Sequence, residues 1–312
     1  MSALICGSIA YDNIMVFRWR FQEQILPDQI HILNVAFLVP DMRQELGGCA
    51  GNIAYNLRLL GGEPLIMATV GRDSGRYRER LRERGLSEHY LTEIPSALTA
   101  QAYITTDLDD NQITAFHPGA MDHAHVNRVP RDAGITIGMI SPDGRQGMIE
   151  HAEQFAEAGI PFVFDPGQGL PMFDGEALRH FVSQASWVAV NDYEGRMLCE
   201  RTGWSEEQIA GRVQALIVTR GGQGSTIFTA GRRLEIPPVP PLQITDPTGC
   251  GDAYRAGLLH GLIRGLSWEE TGRLASLLGA IKIAHQGTQN HHFTPSTLAA
   301  GFRSAYGVGI DL

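Results

Sequence analysis

Residues 244–261 read ITDPTGCGDAYRAGLLHG and set Asp252 among glycines at the point where an apolar helical pattern begins. Ala253, Gly257, Gly261 and Gly265 recur every fourth residue, so one face of the predicted helix is bare enough to press against a neighbour. At its start the N–H groups of Gly249, Cys250 and Gly251 lack intrahelical acceptors, and with the helix dipole they draw an anion. A phosphoryl group bound there would lie beside a carboxylate able to accept a proton. Capping of the helix by Asp252 is the plainer reading of the same residues.

Upstream of this stretch, short apolar runs alternate with helical patterns: LICGSIA (4–10), PLIMATVG (64–71), ITIGMIS (135–141), PFVFDP (161–166), WVAVN (187–191) and ALIVTRGG (215–222). They are continuous, not alternating, which suits strands of a parallel sheet covered on both faces. CAGNIAYNLRLL (49–60) and SGRYRERLRERGL (74–86) read as surface helices, the second charged and ending at Gly85. Two stretches break the rhythm. Residues 15–46 carry aromatics without a strong helix cap, and residues 101–117 read as two strands around the turn DDNQ. The expected organisation is an α/β core from residues 1–14, 47–100 and 118–312, with a small β-sheet lid from 15–46 and 101–117.

The chain has 312 residues, 43% of them hydrophobic, and a formal net charge of −9. Such a charge argues against a nucleic-acid binder that neutralises a phosphate backbone. Cys6, Cys49, Cys199 and Cys250 form no CxxC pair, which fits reduced thiols in a cytosol, and no apolar run approaches a membrane span. The expectation is a cytoplasmic protein that binds neither nucleic acid nor membrane.

Further candidate chemistry is spread along the chain. TRGGQGS (219–225) follows a strand and precedes another; its glycines either make a hairpin or let backbone amides and Thr219 reach phosphates. In NDYEG (191–195), Asn191 and Glu194 lie three apart on a nascent helix, as a helix cap or as partners of a hydrated magnesium. Asp12 is read as ending the first strand, and GGCAGN (47–52) opens the first long helix; a carboxylate and an Asn beside a glycine pair suit neighbouring hydroxyls. No GxxxxGK[ST] occurs, and GCGDAY lacks the third glycine of a dinucleotide fingerprint.

Taken in order, GSIAYD, GGxxxN, NxxE, TxGxxG and DxTGxGD resemble the ribokinase-like PfkB family of carbohydrate and nucleoside kinases over nearly the whole chain. The resemblance implies a three-layer α/β/α sandwich with a β lid, and an ATP-dependent transfer to a hydroxyl with magnesium. It implies that Asp252 receives the hydroxyl proton, that the amides of Gly249, Cys250 and Gly251 hold the transferred phosphoryl, and that the helix dipole keeps the Asp252 pKa low. By the same resemblance, Asp12, Gly47, Gly48 and Asn52 contact the substrate, Asn191, Thr219, Gly221 and Gly224 the nucleotide, and Glu194 magnesium through water. Asp246 and Thr248 fall where many relatives build a monovalent-cation site, so potassium stimulation is expected.

Cys250 replaces the commoner alanine, which predicts sensitivity to oxidation. Ala10 stands where ribokinases carry Asn, which weakens a free-ribose reading. HQGTQNHH (285–292) and FHPGAM (116–121) look more like bacterial adenosine kinase-like members, and the pair His291 and His292 is read as a nucleotide-side loop in preference to a metal site, since two adjacent His cannot supply a full ligand set. Adenosine is therefore the expected acceptor, with a furanose sugar as the alternative and a silent ligand-binding relative as the reading from another class. The protein is expected as a monomer or homodimer. Phe17, Trp19, Phe21 and Phe37 are expected mostly to pack the lid, with Phe37 and Phe116 the first to test as base contacts.

Overall fold

Along Ser2–Cys6 (β1), side chains enter two cores in turn: Ala3 and Ile5 join one apolar cluster, Leu4 and Cys6 the other. A strand covered on both faces lies inside a sandwich, which is why its sequence shows an unbroken apolar run. The computed structural model describes residues 2–25, 34–109, 111–131 and 133–312. Within them the chain continues through Ala10–Val16 (β2), Asp41–Gly47 (β3), Cys49–Leu59 (α1), Glu63–Gly71 (β4), Gly75–Glu83 (α2), Ser87–Ile94 (β5), Ala100–Thr106 (β6) and Gln112–His117 (β7). Next come Ile135–Ile140 (β8), Arg145–Glu157 (α3), Phe162–Phe164 (β9), Gly175–Gln184 (α4), Trp187–Asn191 (β10), Asp192–Thr202 (α5), Glu206–Ala210 (α6) and Ala215–Thr219 (β11). Ser225–Thr229 (β12), Arg232–Ile236 (β13), Cys250–Arg264 (α7), Trp268–Ile283 (α8) and Pro295–Tyr306 (α9) complete it.

The large sheet has the order β13-β12-β11-β10-β9-β8-β1-β4-β5. From β11 to β5 all neighbours are parallel, and β12 and β13 are added antiparallel. Helices α1, α2, α7, α8 and α9 supply the cluster around Ile5, and α3 to α6 supply the one around Leu4. This is the three-layer arrangement the apolar runs predict.

Helix α1 departs from its expected place at the surface. Ala50 to Leu57 are buried throughout, including Asn52 and Asn56. The sequence pattern showed one apolar face, but α7 and the segment around Gln289 and His291 close over the polar one. Helix α2 behaves as read, burying Tyr77 and Leu81 and leaving most of its charges in solvent.

The bare face of α7 meets α8. A Cβ on Gly257 would lie 2.6 Å from Ala275 Cα, and one on Gly261 would lie 2.3 Å from Thr271 Oγ1. Gly265 takes no part in that contact; it ends the helix in the left-handed conformation at φ 67°.

A separate sheet of order β3-β2-β6-β7 forms the lid. Its strands begin earlier than the sequence boundaries suggested: β2 starts at Ala10 and β3 runs to Gly47, so Asp12 lies within a lid strand and does not end β1. The extended run through GSIAYD reads the same in either sheet, and only hydrogen-bond partners assign it. Residues 26–33 of the expected lid and Asp110 of the DDNQ turn lie outside the described residues. Phe17, Phe21 and Phe37 pack together with ring centroids 4.9–5.7 Å apart, as lid core, while Trp19 and Phe116 are about half exposed.

Candidate active site

In an open parallel sheet, ligands bind beyond the carboxyl ends of the strands, and the candidate residues converge there. Asp165 follows β9, Asn191 closes β10, and Thr219 closes β11 directly opposite Asn191. The amino end of α7 faces the same rim. Gly249 caps it at φ 79°, a conformation that opens the turn from Pro247 into the helix. Among the described residues no acceptor takes the N–H of Gly249 or Gly251, whereas Cys250 N–H donates to the Pro247 carbonyl at 3.2 Å. Two of the three expected anion-binding amides therefore face outward, and the third is shared with a carbonyl. A Cβ on Gly251 would meet nothing within 4 Å, which marks open space above it.

Asp252 lies in the first turn of α7, and Asn52 Nδ2 donates to its Oδ2 at 2.8 Å. Asn52 is held in turn: its Oδ1 accepts from Gln289 Nε2 at 2.9 Å, Gln289 also donates to the Tyr77 hydroxyl, and that hydroxyl donates to the Gly47 carbonyl. An orienting network thus joins α7, α1, α2 and the 288–291 segment at the carboxylate. The expected direction of the Asp252 pKa is wrong: burial raises it to about 6. The Asn52 hydrogen bond lowers it, nearby Asp165 raises it further, and Arg255 opposes that. Desolvation outweighs the helix dipole here. A carboxyl near 6 is a better proton acceptor than an exposed aspartate while remaining mostly ionised at pH 7.

Across the rim, Asp12 packs over Gly47, where a Cβ would lie 2.3 Å from Asp12 Oδ2. Burial, then the charges of Asp252, Asp246 and Glu45, push Asp12 up to about 6 as well. Gly48 has φ 88° and no room for a side chain against Ser8 and Ile9. The structure thus brings Asp12, Gly47, Gly48, Asn52 and Asp252 to one place. Asn52 donates to Asp252 and accepts from Gln289, so it braces the carboxylate, and its amide carries a second N–H besides.

Where β10 passes into α5, Asn191 and Glu194 form a capping box: Glu194 N–H donates to Asn191 Oδ1 at 2.8 Å, and Asn191 N–H donates to Glu194 Oε2 at 2.7 Å. The same Glu194 oxygen lies 4.0 Å from Arg255. Burial and then Asp165 raise the Glu194 pKa, against Arg255. Among the described residues no group of three His, Cys, Asp or Glu side chains is placed to hold a metal. Glu194, with one oxygen committed to the cap, fits a magnesium reached through water and carried mainly by phosphates. Gly221 and Gly224 make the β11–β12 hairpin at φ 51° and 86°, and Ser225 behind them bonds Tyr254 of α7 at 2.7 Å. The hairpin is therefore real, and it is tied to the helix that carries Asp252.

Asp246 turns inward. Its Oδ1 accepts Thr248 N–H and its Oδ2 accepts Gly287 N–H, both at 2.9 Å. Burial works to raise its pKa, but these two N–H groups hold it below its ordinary value.

Several contributors escaped the sequence reading. Arg255 sits one turn beyond Asp252 and makes a bidentate pair with Asp165, at 3.1 and 3.0 Å, with both side chains nearly dry. Its spacing from Asp252 and the position of Asp165 at a strand end were the available signals. Gln289 and Lys282 carried none, since a loop glutamine and a lysine within the apolar run AIKIA look unremarkable. His291 lies in the connection between α8 and α9, as a loop residue that is buried behind α1, bonds Asn56 Oδ1 at 2.7 Å and is pushed down to about 3, chiefly by burial. His117, His123 and His125 would read as loop residues from the sequence, but His117 ends strand β7, and His123 and His125 lie in the 3₁₀ helix Gly119–Val126. The Cys250 thiol, pushed up to about 11 chiefly by burial, is a poor candidate for facile oxidation. No helix among the described residues is long and apolar enough to cross a membrane.

The family model for pfkB family carbohydrate kinases matches residues 8–295. The chain is similar to the nucleoside kinase of Methanocaldococcus jannaschii, with 31% identity over 263 residues, 83% of this chain and 85% of that protein. It is also similar to the solved nucleoside kinase of Burkholderia thailandensis in complex with inosine, at TM-score 0.91 and 54% identity, covering 98% of this chain and 99% of that one. The same enzyme in complex with ADP-inosine gives TM-score 0.89 and 55% identity, over 99% and 98% of the two chains.

Proposed function

Because this chain belongs to the pfkB family of carbohydrate kinases, and is an ATP-dependent phosphotransferase acting on a hydroxyl group, we propose that its acceptor is the 5′-hydroxyl of a purine nucleoside. The observation that carries this reading is the 54% identity, over nearly the whole chain, to a nucleoside kinase seen with inosine. Adenosine, expected from HQGTQNHH and FHPGAM, and inosine are the two acceptors to compare. The products are the nucleoside 5′-monophosphate and ADP, formed in the cytoplasm by a monomer or homodimer.

In this mechanism the 5′-oxygen bonds to the γ-phosphorus of ATP, the bond from that phosphorus to the bridging oxygen breaks, and ADP leaves with the electron pair. Asp252 takes the hydroxyl proton at a carboxylate oxygen and later releases it to water. The Gly249 and Gly251 amides, with the partly shared Cys250 amide, bind the transferred oxygens at the positive end of α7. Asn52 holds Asp252 in its working rotamer, and Asp12 grips sugar hydroxyls from the lid strand. The transfer is loose in character, so placement and charge stabilisation outweigh early deprotonation. Magnesium, when bound, neutralises phosphate charge, and Glu194 and Asn191 would hold its water shell.

ADP release with ATP and magnesium, measured over adenosine, inosine, guanosine, cytidine, ribose and fructose, tests the reading. Turnover of a purine nucleoside that collapses in Asp252→Asn supports it. Turnover confined to a sugar overturns the acceptor assignment.

A further inference from the structure

Lys282 is completely buried near the end of α8, in the otherwise apolar run AIKIA. Its ammonium donates to the Asp246 carbonyl at 2.7 Å and to the His285 carbonyl at 3.2 Å. These carbonyls belong to the two segments that converge behind the phosphoryl-binding turn. One runs from Asp246 to Asp252, and the other from His285 to Gly287, whose N–H closes onto the Asp246 carboxylate. The negative groups facing the ammonium are Asp246, Asp252 and Glu45, with the Cys250 thiol alongside. A buried cation survives only when its donors and its charge are both matched, and this one has carbonyl acceptors and a surplus of carboxylates.

A monovalent cation placed between the same loops would need those carbonyls and the Asp246 carboxylate as ligands. Both carbonyls already accept from the Lys282 ammonium, and a second cation on them would lie against that charge and be repelled by it. The residues present therefore do not fit potassium. An alkylammonium carries the same single charge at similar size, with three donors in place of a coordination shell. We infer that Lys282 is a tethered internal cation that takes the place of potassium behind the phosphoryl-binding turn, so that this kinase turns over without any added monovalent cation.

Lys282 is then a positioning residue. It joins the two loops and offsets the acidic charge behind Gly249 to Asp252 without touching substrate. The inference replaces the expectation of potassium stimulation drawn from Asp246 and Thr248. It rests on the kinase activity for its kinetic test, and it does not depend on which nucleoside is the acceptor.

The test compares wild type with Lys282→Met in sodium, potassium and ammonium chloride at matched ionic strength, reading ADP release and thermal denaturation. Crystals soaked in rubidium chloride supply a readout independent of activity. Wild type is expected to turn over equally in all three salts, to melt at the same temperature in sodium and potassium, and to show no rubidium between Asp246 O and His285 O. Lys282→Met is expected to lose about tenfold or more of its turnover in sodium, the scale of weakening an oxyanion site. Ammonium or potassium should restore part of that turnover and raise its melting temperature.

Potassium stimulation of wild type, or a rubidium peak at those carbonyls, overturns the inference. So does a folded Lys282→Met that keeps full turnover in sodium, or one that no cation rescues. If Lys282→Met does not fold, the wild-type salt series and rubidium map decide alone. A failure of the acceptor assignment shows itself separately, as absence of nucleoside turnover in every salt.

Discussion

Replacing Asp252 by Asn should make the protein more stable and nearly inactive. The Asp252 carboxyl stands at about 6 in the folded chain against an ordinary 3.8, so the folded state is penalised wherever the unfolded chain is already ionised. The sign follows from proton binding. Between those two values the native state holds the proton and the unfolded state does not, so stability falls as pH rises through the window and stays level above it. The penalty comes to about 3 kcal/mol at pH 7 and about 1.6 kcal/mol at pH 5. Asp252 keeps some contact with solvent, which screens the charge, so roughly half of the pH 7 figure, about 1–2 kcal/mol, is the expected gain.

Asn in its place is neutral, and its carbonyl can still accept from Asn52. At the few degrees per kcal/mol typical of large domains, the melting temperature should rise by about 2–5 °C at pH 7. The gap should roughly halve at pH 5. Turnover should fall by about 10²–10⁴-fold, the range for loss of a general base. Thermal denaturation at pH 7 and pH 5, beside ADP release, reads both effects. A mutant that melts below wild type at pH 7, or a gap that does not shrink toward pH 5, refutes the reasoning that burial strains this carboxylate.

In wild type, kcat/KM should rise with pH through about 6 and then level, as Asp252 and Asp12 ionise; a profile flat down to pH 4.5 contradicts the proton-acceptor role. Gly249→Ala places a Cβ at φ 79° and 3.1 Å from Thr288, and should cost about 1–2 kcal/mol of stability and at least ~10-fold in turnover, read by urea unfolding and initial rates. Arg255→Met leaves Asp165 buried without its partner and should cost about 3–5 kcal/mol, most of it recovered on adding Asp165→Asn, again by urea unfolding. Cys250→Ala should keep turnover within about twofold, since the anion site uses backbone amides. In wild type at pH 7, iodoacetamide should modify Cys250 slowly, as mass spectrometry of the labelled peptide would show.

What the sequence determined by itself was what local physics controls. Unbroken apolar runs of strand length, set between helical patterns, suit strands covered on both sides, so the layered α/β core was legible from LICGSIA to ALIVT. Glycines at 249, 257 and 261 declared a turn and a bare helix face, because those positions tolerate no side chain. The order of GSIAYD, GGxxxN, NxxE and DxTGxGD carried the family, and with it Asp252.

Tertiary structure decided whatever depends on partners distant in sequence. Asn52, expected as a substrate contact, also meets Asp252, 200 residues away. Asp12 joins the lid because β2 finds β3 and β6, and His291 becomes core because Asn56 is there to meet it. The Asp252 pKa rises instead of falling because desolvation is a property of everything packed around a group, which neighbouring residues in the sequence do not reveal. Lys282 is unremarkable in the sequence, and only the fold brings the Asp246 and His285 carbonyls to its ammonium. Hydrogen-bond geometry acts over a few ångströms in space, and only the folded chain makes those separations short.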